Sequence, residues 1–404
     1  MSTAPRLMSF PPERVLEDAA FGRGVAPTRL YALLLPVWEV EIRADITEGE
    51  DFYLIDRFLE RGLRHGGLHT VDELAEFFAL DRALVAQAVR FLSAIGHVEE
   101  SSGRLSLTRL GHRSVDDDIR YVVTRQDRRK LYFEALSCSP LTRVHYDEEV
   151  VTLLSGESLG KALRADQYPR FTPTYATSGF DRAALHRLRD RADRARFNLP
   201  VALEQVESLG EEQVFLPVYL VRGHAGLLVY GQAEAGTAPD PELSEVCRRT
   251  PELISALDNE EAADDADERV LRTARKWLRE LGLDTVAPER GDDGTWSVSL
   301  PATVFGEKGL PVTRIGTYRM AGSRFFRLWC PDETQRKHAL LRRLDQNLGA
   351  RRRVTRQEAG ELVARLSRQL GLAAPTLSRL LGAAGKNGLT GLEAQLARLE
   401  KEQP

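Results

Sequence analysis

From Thr70 to Leu92 the apolar residues recur at three- and four-residue steps, in two blocks with a short polar break between them. That period predicts two short amphipathic helices. Leu74 and Phe78 face a core from the first. Val85, Ala88, Val89 and Leu92 form the buried stripe of the second. Thr70 is placed to cap the first helix, with Glu73 three residues on completing a capping box. Ala75 is the small residue at the helix crossing, Ala79 stands at the turn, and Leu80 plugs it. The outward positions of the second helix are then Arg82, Ala83, Ala86, Gln87 and Arg90. After Gly96, "HVEESSGRLSLT" reads as a strand, a Ser-Ser-Gly turn and a strand. "LTRLG", with Leu107, Thr108 and Gly111, closes the segment. A further helix is expected upstream at about 51–65, from Phe52, Ile55, Phe58 and Leu59, ended by Gly66 and Gly67.

These residues resemble the winged-helix family of bacterial DNA-binding domains, over residues 52–115. The resemblance implies that the second helix enters a major groove and that the hairpin, the wing, touches phosphate. The family's reading positions fall on Arg82, Gln87 and Arg90, with Arg104, Arg109 and Arg113 on or near the wing. Arginine and glutamine suit guanine and adenine edges because each offers a bidentate contact. Asp72, Glu73, Glu76, Asp81, Glu99 and Glu100 lie close to where phosphates would run, and like charge repels. Members of the family also serve as dimer or partner-docking modules, and a homodimer is expected by analogy alone.

The rest of the pattern gives an α+β, multidomain chain. Residues 1–30 are Pro-rich and read as partly irregular. An apolar run follows, with a strand-like tail at 36–43. "DIRYVVTRQDRRKLYFEALSC" reads as two strands around a charged turn at Gln126–Arg129, able to pair with that tail. The expected division is a β-flanked winged-helix domain at 1–155, a mixed α/β domain at 156–262, a small α+β domain at 263–350 and a helical C-terminal module at 351–404. The acidic run "DNEEAADDADE" at 258–268 reads as a solvated linker or helix start.

Within the C-terminal module, residues 359–381 follow helix-turn-helix spacing. Leu366 and Leu370 are core positions, Ser367 the crossing residue, Gly371 the turn glycine, and Pro375 opens the second helix. Thr376, Ser378 and Arg379 would be exposed, and Arg351, Arg352, Arg353 and Arg356 could contact phosphate. The same spacing also suits a helical hairpin packed on the preceding domain. "GAAGKNG" at 382–388 imitates a phosphate loop but lacks its spacing and metal-binding Ser or Thr, so it reads as a helix-ending turn.

With 404 residues the chain can bury several cores, and its net charge of −4 confines any nucleic-acid footprint to a local patch. The densest such patch is 336–368, with ten Arg or Lys against three acids. Three separated cysteines point to reduced thiols and a cytoplasmic setting. The N-terminus has no apolar signal-peptide core, and "LYALLLPV" is too short to span a bilayer. No Walker, G-x-S-x-G, H-x-K or zinc-deaminase pattern is present, and Glu307–Lys308 in "FGEKG" lacks the context of a nuclease core. "HYDEEV" at 145–150 reads as a solvated turn. Aromatics and bases near Phe325, Phe326 and Trp329 read as core packing ahead of a single-strand stacking surface.

The expectation is therefore a non-enzymatic protein without metal or cofactor. It would bind double-stranded DNA as a transcriptional regulator, or as the DNA-recognising part of a DNA-maintenance or antiviral (phage-defence) system. The alternative is an accessory subunit whose winged helix docks an ATPase or nuclease without reading DNA.

Overall fold

The computed structural model describes residues 7–164, 169–176, 178–199, 202–224, 226–233, 237–263, 266–306, 309–349 and 353–401. Arg351, Arg352, Glu307 and Lys308 lie outside the described residues.

The fold is mixed α+β. In chain order, α1 (Pro12–Glu17) and one π turn lead into β1 (Pro27–Glu50). Then come α2 (Leu54–His65), α3 (Val71–Phe78), α4 (Arg82–Ala94), β2 (Val98–Ser101), β3 (Arg104–Leu107), α5 (Arg109–Asp117) and β4 (Arg120–Glu134). They are followed by α6 (Gly156–Arg164), β5 (Thr172–Pro173), α7 (Arg182–Arg189), β6 (Ala202–Gly223) and β7 (Gly226–Tyr230). Next are α8 (Pro241–Arg249), α9 (Pro251–Ala263), α10 (Ala266–Glu280), β8 (Pro288–Arg290), β9 (Trp296–Ser299), β10 (Tyr318–Ala321) and β11 (Arg324–Trp329). The chain ends in α11 (Glu333–Leu348), α12 (Arg356–Gln369), α13 (Leu377–Lys386) and α14 (Thr390–Lys401).

Two compact units result, and they interleave along the chain instead of following one another. The first gathers 1–36, 147–176 and 214–404; the second gathers 37–146 and 177–213. Strands β1 and β6 each contribute residues to both, so no cut into four consecutive segments reproduces this division. The largest sheet has the order β4-β1-β6-β7, with β5 pairing β1.

In the second unit, β4 runs antiparallel to β1, with Val37 opposite Glu134 and Glu50 opposite Arg120. Residues 126–129, expected as a turn, lie inside this single strand. The ladder explains why. Lys130 meets Glu39 at 2.6 Å, Arg129 meets Glu48 at 2.5 Å, and Arg128 meets Glu41 at 3.7 Å. Cross-strand pairs of opposite charge stabilise a ladder, so a run that looks like a turn in isolation is extended in context. On this ribbon Val40, Ile42, Leu131 and Phe133 form a core with Leu185, Leu188 and Phe197. A separate core in the same unit joins α2, α3, α4, the β2–β3 hairpin and α5 through Leu59, Leu74, Val85, Leu92, Leu105 and Val115.

In the first unit, the sheet β10-β11-β9-β8 is backed by α10, and α11 packs on Val312–Arg314, α12 and α14. Its core runs without a break from Val270 through Phe326 and Leu344 to Leu366, Leu380, Leu392 and Leu399. Residues 353–401 thus complete the core of the 266–349 region. The acidic run ends α9 and opens α10, both within this unit. The N-terminal residues, expected as irregular, supply α1 and a second core where Val15 and Leu16 meet Tyr219, Tyr230 and Phe325.

Candidate nucleic-acid interface

Residues 54–117 of the second unit are held by caps and close approaches that can be read one at a time. Thr70 accepts the Glu73 N–H and starts α3. The Glu73 carboxylate accepts the His69 N–H at 2.7 Å, so its return bond goes one residue upstream of the expected capping box. That bond lowers the Glu73 pKa. Ala79 takes a left-handed φ of 51° at the end of α3, a geometry that glycine normally supplies. The Leu80 N–H then bonds back to the Ala75 carbonyl at 3.0 Å, and the chain turns. Asp81 caps α4, accepting from the Ala83 and Leu84 N–H groups at 2.7 and 3.3 Å. A carboxylate therefore already occupies the positive end of this helix.

The β2–β3 hairpin closes through Ser102 and Gly103, with φ of 52° and 74°. Two positive values over a two-residue loop are those of a type I′ turn. Val98, Leu105 and Leu107 point inward, while Arg104 and Ser106 point out. The base of the hairpin is locked to α5. The Thr108 hydroxyl donates to the Gly96 carbonyl at 2.6 Å and accepts the Gly111 N–H at 3.2 Å. A Cβ on Gly111 would fall 2.3 Å from the His97 carbonyl oxygen. Gly111→Ala is therefore expected to destabilise the second unit by about 1–3 kcal/mol, measured as a lower denaturation midpoint. An unchanged midpoint would contradict this close packing.

The structure sorts the candidate DNA-contacting residues. Gln87 and Arg90 are exposed on α4, and Arg104 is exposed on β3 beside the hairpin turn; none of the three has a partner among the described residues. Arg109 is exposed at the start of α5, likewise without a partner. Arg82 is exposed but forms an ion pair with Asp72 of α3. Arg113 lies on α5, where it pairs with Asp117 at 3.5 Å and covers the Tyr121 ring at 4.7 Å. The acids Glu76, Glu99 and Glu100 are exposed on the same module.

In the basic segment 336–368, Arg336, Arg343 and Arg368 bond main-chain carbonyls, while Lys337, Arg342, Arg353 and Arg356 are exposed. Arg343 is buried and donates to the Thr313 and Ile315 carbonyls at 2.6 and 2.8 Å. Burial lowers its pKa. Arg336 caps the end of α12 through the Leu370 and Gly371 carbonyls and covers Trp329 at 5.0 Å. Arg368 donates to the Phe21 carbonyl at 2.8 Å. Arg353 and Arg379 are exposed. In the suspected second helix-turn-helix, Ser367, Leu366 and Leu370 are buried and Gly371 has a φ of 59°. However, α13 starts after the Thr376 cap, leaving Pro375 outside it, and α13 packs mainly on α14. "GAAGKNG" closes α13, with Gly388 at a φ of 66°.

Sequence reasoning missed a buried polar network beneath this module. Asp56 and Glu60 of α2 are 5% and 0% exposed, and His97 is 0% exposed. The His97 Nδ1 lies 2.6 Å from Glu60, and its Nε2 bonds the Tyr121 carbonyl. Arg120, also buried, reaches Asp56 at 3.6 Å and Glu50, and its guanidinium covers the Tyr53 ring at 4.3 Å. Burial pushes the Glu60 carboxyl up, opposed by its bond to His97; burial also raises Asp56, opposed by Arg120. A sequence signal did exist. Asp56, Leu59, Glu60 and Leu63 fall on one helical stripe, so the two acids share the apolar face.

Among the described residues no group of three or more His, Cys, Asp and Glu side chains could hold a metal ion, and no helix is long and apolar enough to cross a membrane. Phe325 and Phe326 are buried and Trp277 is 7% exposed, so these rings pack the core. Comparison with family models, curated proteins and solved structures finds no match to this chain.

Proposed function

We propose that residues 54–117 form a winged helix and that the protein binds double-stranded DNA through it. It would act as a transcriptional regulator or as the DNA-recognising component of a DNA-maintenance or phage-defence system. The observation that carries this reading is the outward face of α4. Gln87 and Arg90 stand there, with no partner among the described residues, on a helix whose opposite side is pinned into a core, and Arg104 stands likewise at the hairpin tip. Preorganised donors on a rigid element suit base edges and phosphates. Arg82 joins them only if its exposed pair with Asp72 opens. Such pairs contribute about 0–1 kcal/mol, so phosphate can compete for it. Asp72→Asn is therefore expected to tighten duplex binding about three- to tenfold at low salt, measured by fluorescence anisotropy. Unchanged affinity would remove the start of α4 from the interface.

A second reading, docking of a protein partner such as an ATPase or nuclease, is favoured by a different surface. Leu54 and Phe77 are 68% and 65% exposed on α2 and α3, with Phe58 also exposed. Phe77 stacks edge-on against Phe78 at 4.9 Å, and Phe78 in turn meets Phe58 at 6.2 Å. Clustered exposed apolar side chains mark interaction sites more often than isolated ones do.

A further inference from the structure

We propose that a polar cleft in the first unit, apart from the helix–hairpin module, binds a phosphate-bearing small molecule of nucleotide size. Arg29 of β1, Arg222 of β6, Arg290 of β8 and Arg324 of β11 converge on one opening of about 370 Å³. That volume falls within the range of small-molecule sites, about 300–1,000 Å³. Trp296 lines the same opening.

The guanidinium groups are held by bonds to neighbouring side chains. Asp267 accepts from Arg290 at 3.1 Å, from Arg324 at 2.6 Å and from the Trp296 indole N–H at 3.0 Å. Arg222 is held by Asp258 at 2.6 Å and Glu261 at 3.2 Å. Arg29 is 2% exposed and donates to the Ser323 hydroxyl at 3.1 Å. Each guanidinium carries five N–H donors; Arg290, 50% exposed, uses its Nε on the Gly294 carbonyl and its Nη1 on Asp267, and its Nη2 has no partner among the described residues. Arg324 lines the opening with its side chain 23% exposed.

Glu261 and Asp293 line the opening beside the arginines, and Asp258 and Asp267 pair with Arg222 and Arg290. Asp267 and Arg290 are 42% and 50% exposed, so their pair is screened and weak. A phosphate group brings more charge than a carboxylate and three oxygens that match the arginine fork, so it can take over these donors. A nucleobase is then placed to stack on Trp296, as bases do on aromatic faces.

The test is titration calorimetry on the full chain with ADP, pyrophosphate and adenosine at low salt. Saturable binding of ADP, with adenosine at least about a hundredfold weaker, is expected from charge-assisted bonds. Arg290→Gln and Arg324→Gln should each weaken ADP about tenfold or more. Arg290 is exposed enough that its variant should melt like the wild type, so it decides the matter if Arg324→Gln is unstable. Pyrophosphate binding as tight as ADP would uphold the phosphate site and remove the base from it. No saturable binding of either phosphate compound, adenosine equal to ADP, or full affinity in Arg290→Gln would each overturn the proposal.

Discussion

Reversing the charge of Arg90 and Arg104 together is expected to weaken duplex-DNA binding by at least about two orders of magnitude. Each residue is exposed and has no partner among the described residues, so nothing in the fold consumes its charge. Arg90 sits on α4 at helical spacing from Gln87, where a side chain meets a base edge or phosphate if the helix lies in a groove. Arg104 sits beside the type I′ turn, where a hairpin tip reaches the backbone. A lost bidentate base contact costs about 1–3 kcal/mol, and a glutamate adds repulsion from phosphate. The matched control is Arg113→Glu. Arg113 is engaged with Asp117 and Tyr121, so its reversal should disturb α5 more than DNA binding. Anisotropy with a labelled duplex, alongside a thermal melt to confirm folding, reads both. Unimpaired binding by the Arg90/Arg104 variant would mean that α4 and the hairpin do not form the footprint.

His97→Ala is expected to be the most damaging single change in the second unit, lowering its stability by about 3–5 kcal/mol. His97 is wholly buried and ties α2, through Glu60, to the start of β4, through the Tyr121 carbonyl. Its removal strands Glu60, which is also fully buried and whose Oε2 already lacks a partner. Hydrogen exchange across 54–121 should show this as faster opening of amides throughout the module. Wild-type protection in the variant would mean that the network is incidental.

The pH dependence follows from the same groups. The folded state raises the Glu60 and Asp56 pKa values above their unfolded ones. The native state then binds more protons than the unfolded chain. Stability from these groups is complete below the unfolded carboxylate value, about 4.3 for Glu. It is lost as pH rises from there through the raised folded values. Glu60→Gln can still donate to His97 Nδ1 and carries no charge, so it should flatten that decline. Denaturation midpoints between pH 4.5 and 8 check this; an unchanged slope would mean that Glu60 does not carry it.

Local elements with a clear period were legible in the sequence. The α2, α3 and α4 helices and the Ser102–Gly103 hairpin follow from apolar spacing and turn residues that act within a few positions. What was not legible depends on partners distant in sequence. Residues 126–129 looked like a turn because Glu39, Glu41 and Glu48, which answer their charge, lie some eighty residues earlier. Within 336–368, composition counts charges but does not show that Arg336, Arg343 and Arg368 bond carbonyls of the fold. The interleaving of the two units rests on β1 and β6, each of which contributes residues to both. At the candidate interface, spacing correctly exposed Gln87 and Arg90 on α4. It could not say that Asp72 holds Arg82, or that Asp56 and Glu60 are buried against His97 and Arg120.

If this chain grips duplex DNA through a small cationic face, its affinity must fall as salt rises. Each phosphate neutralised contributes a slope of about −0.9 in log affinity against log salt. With Arg90, Arg104 and Arg109 exposed, and Arg82 recruited from Asp72, a slope of about −2 to −4 is predicted. Arg90→Glu with Arg104→Glu should make it shallower by about two. A flat salt response, or no duplex binding at low salt, would contradict the account and turn attention to the apolar surface of Leu54, Phe58 and Phe77.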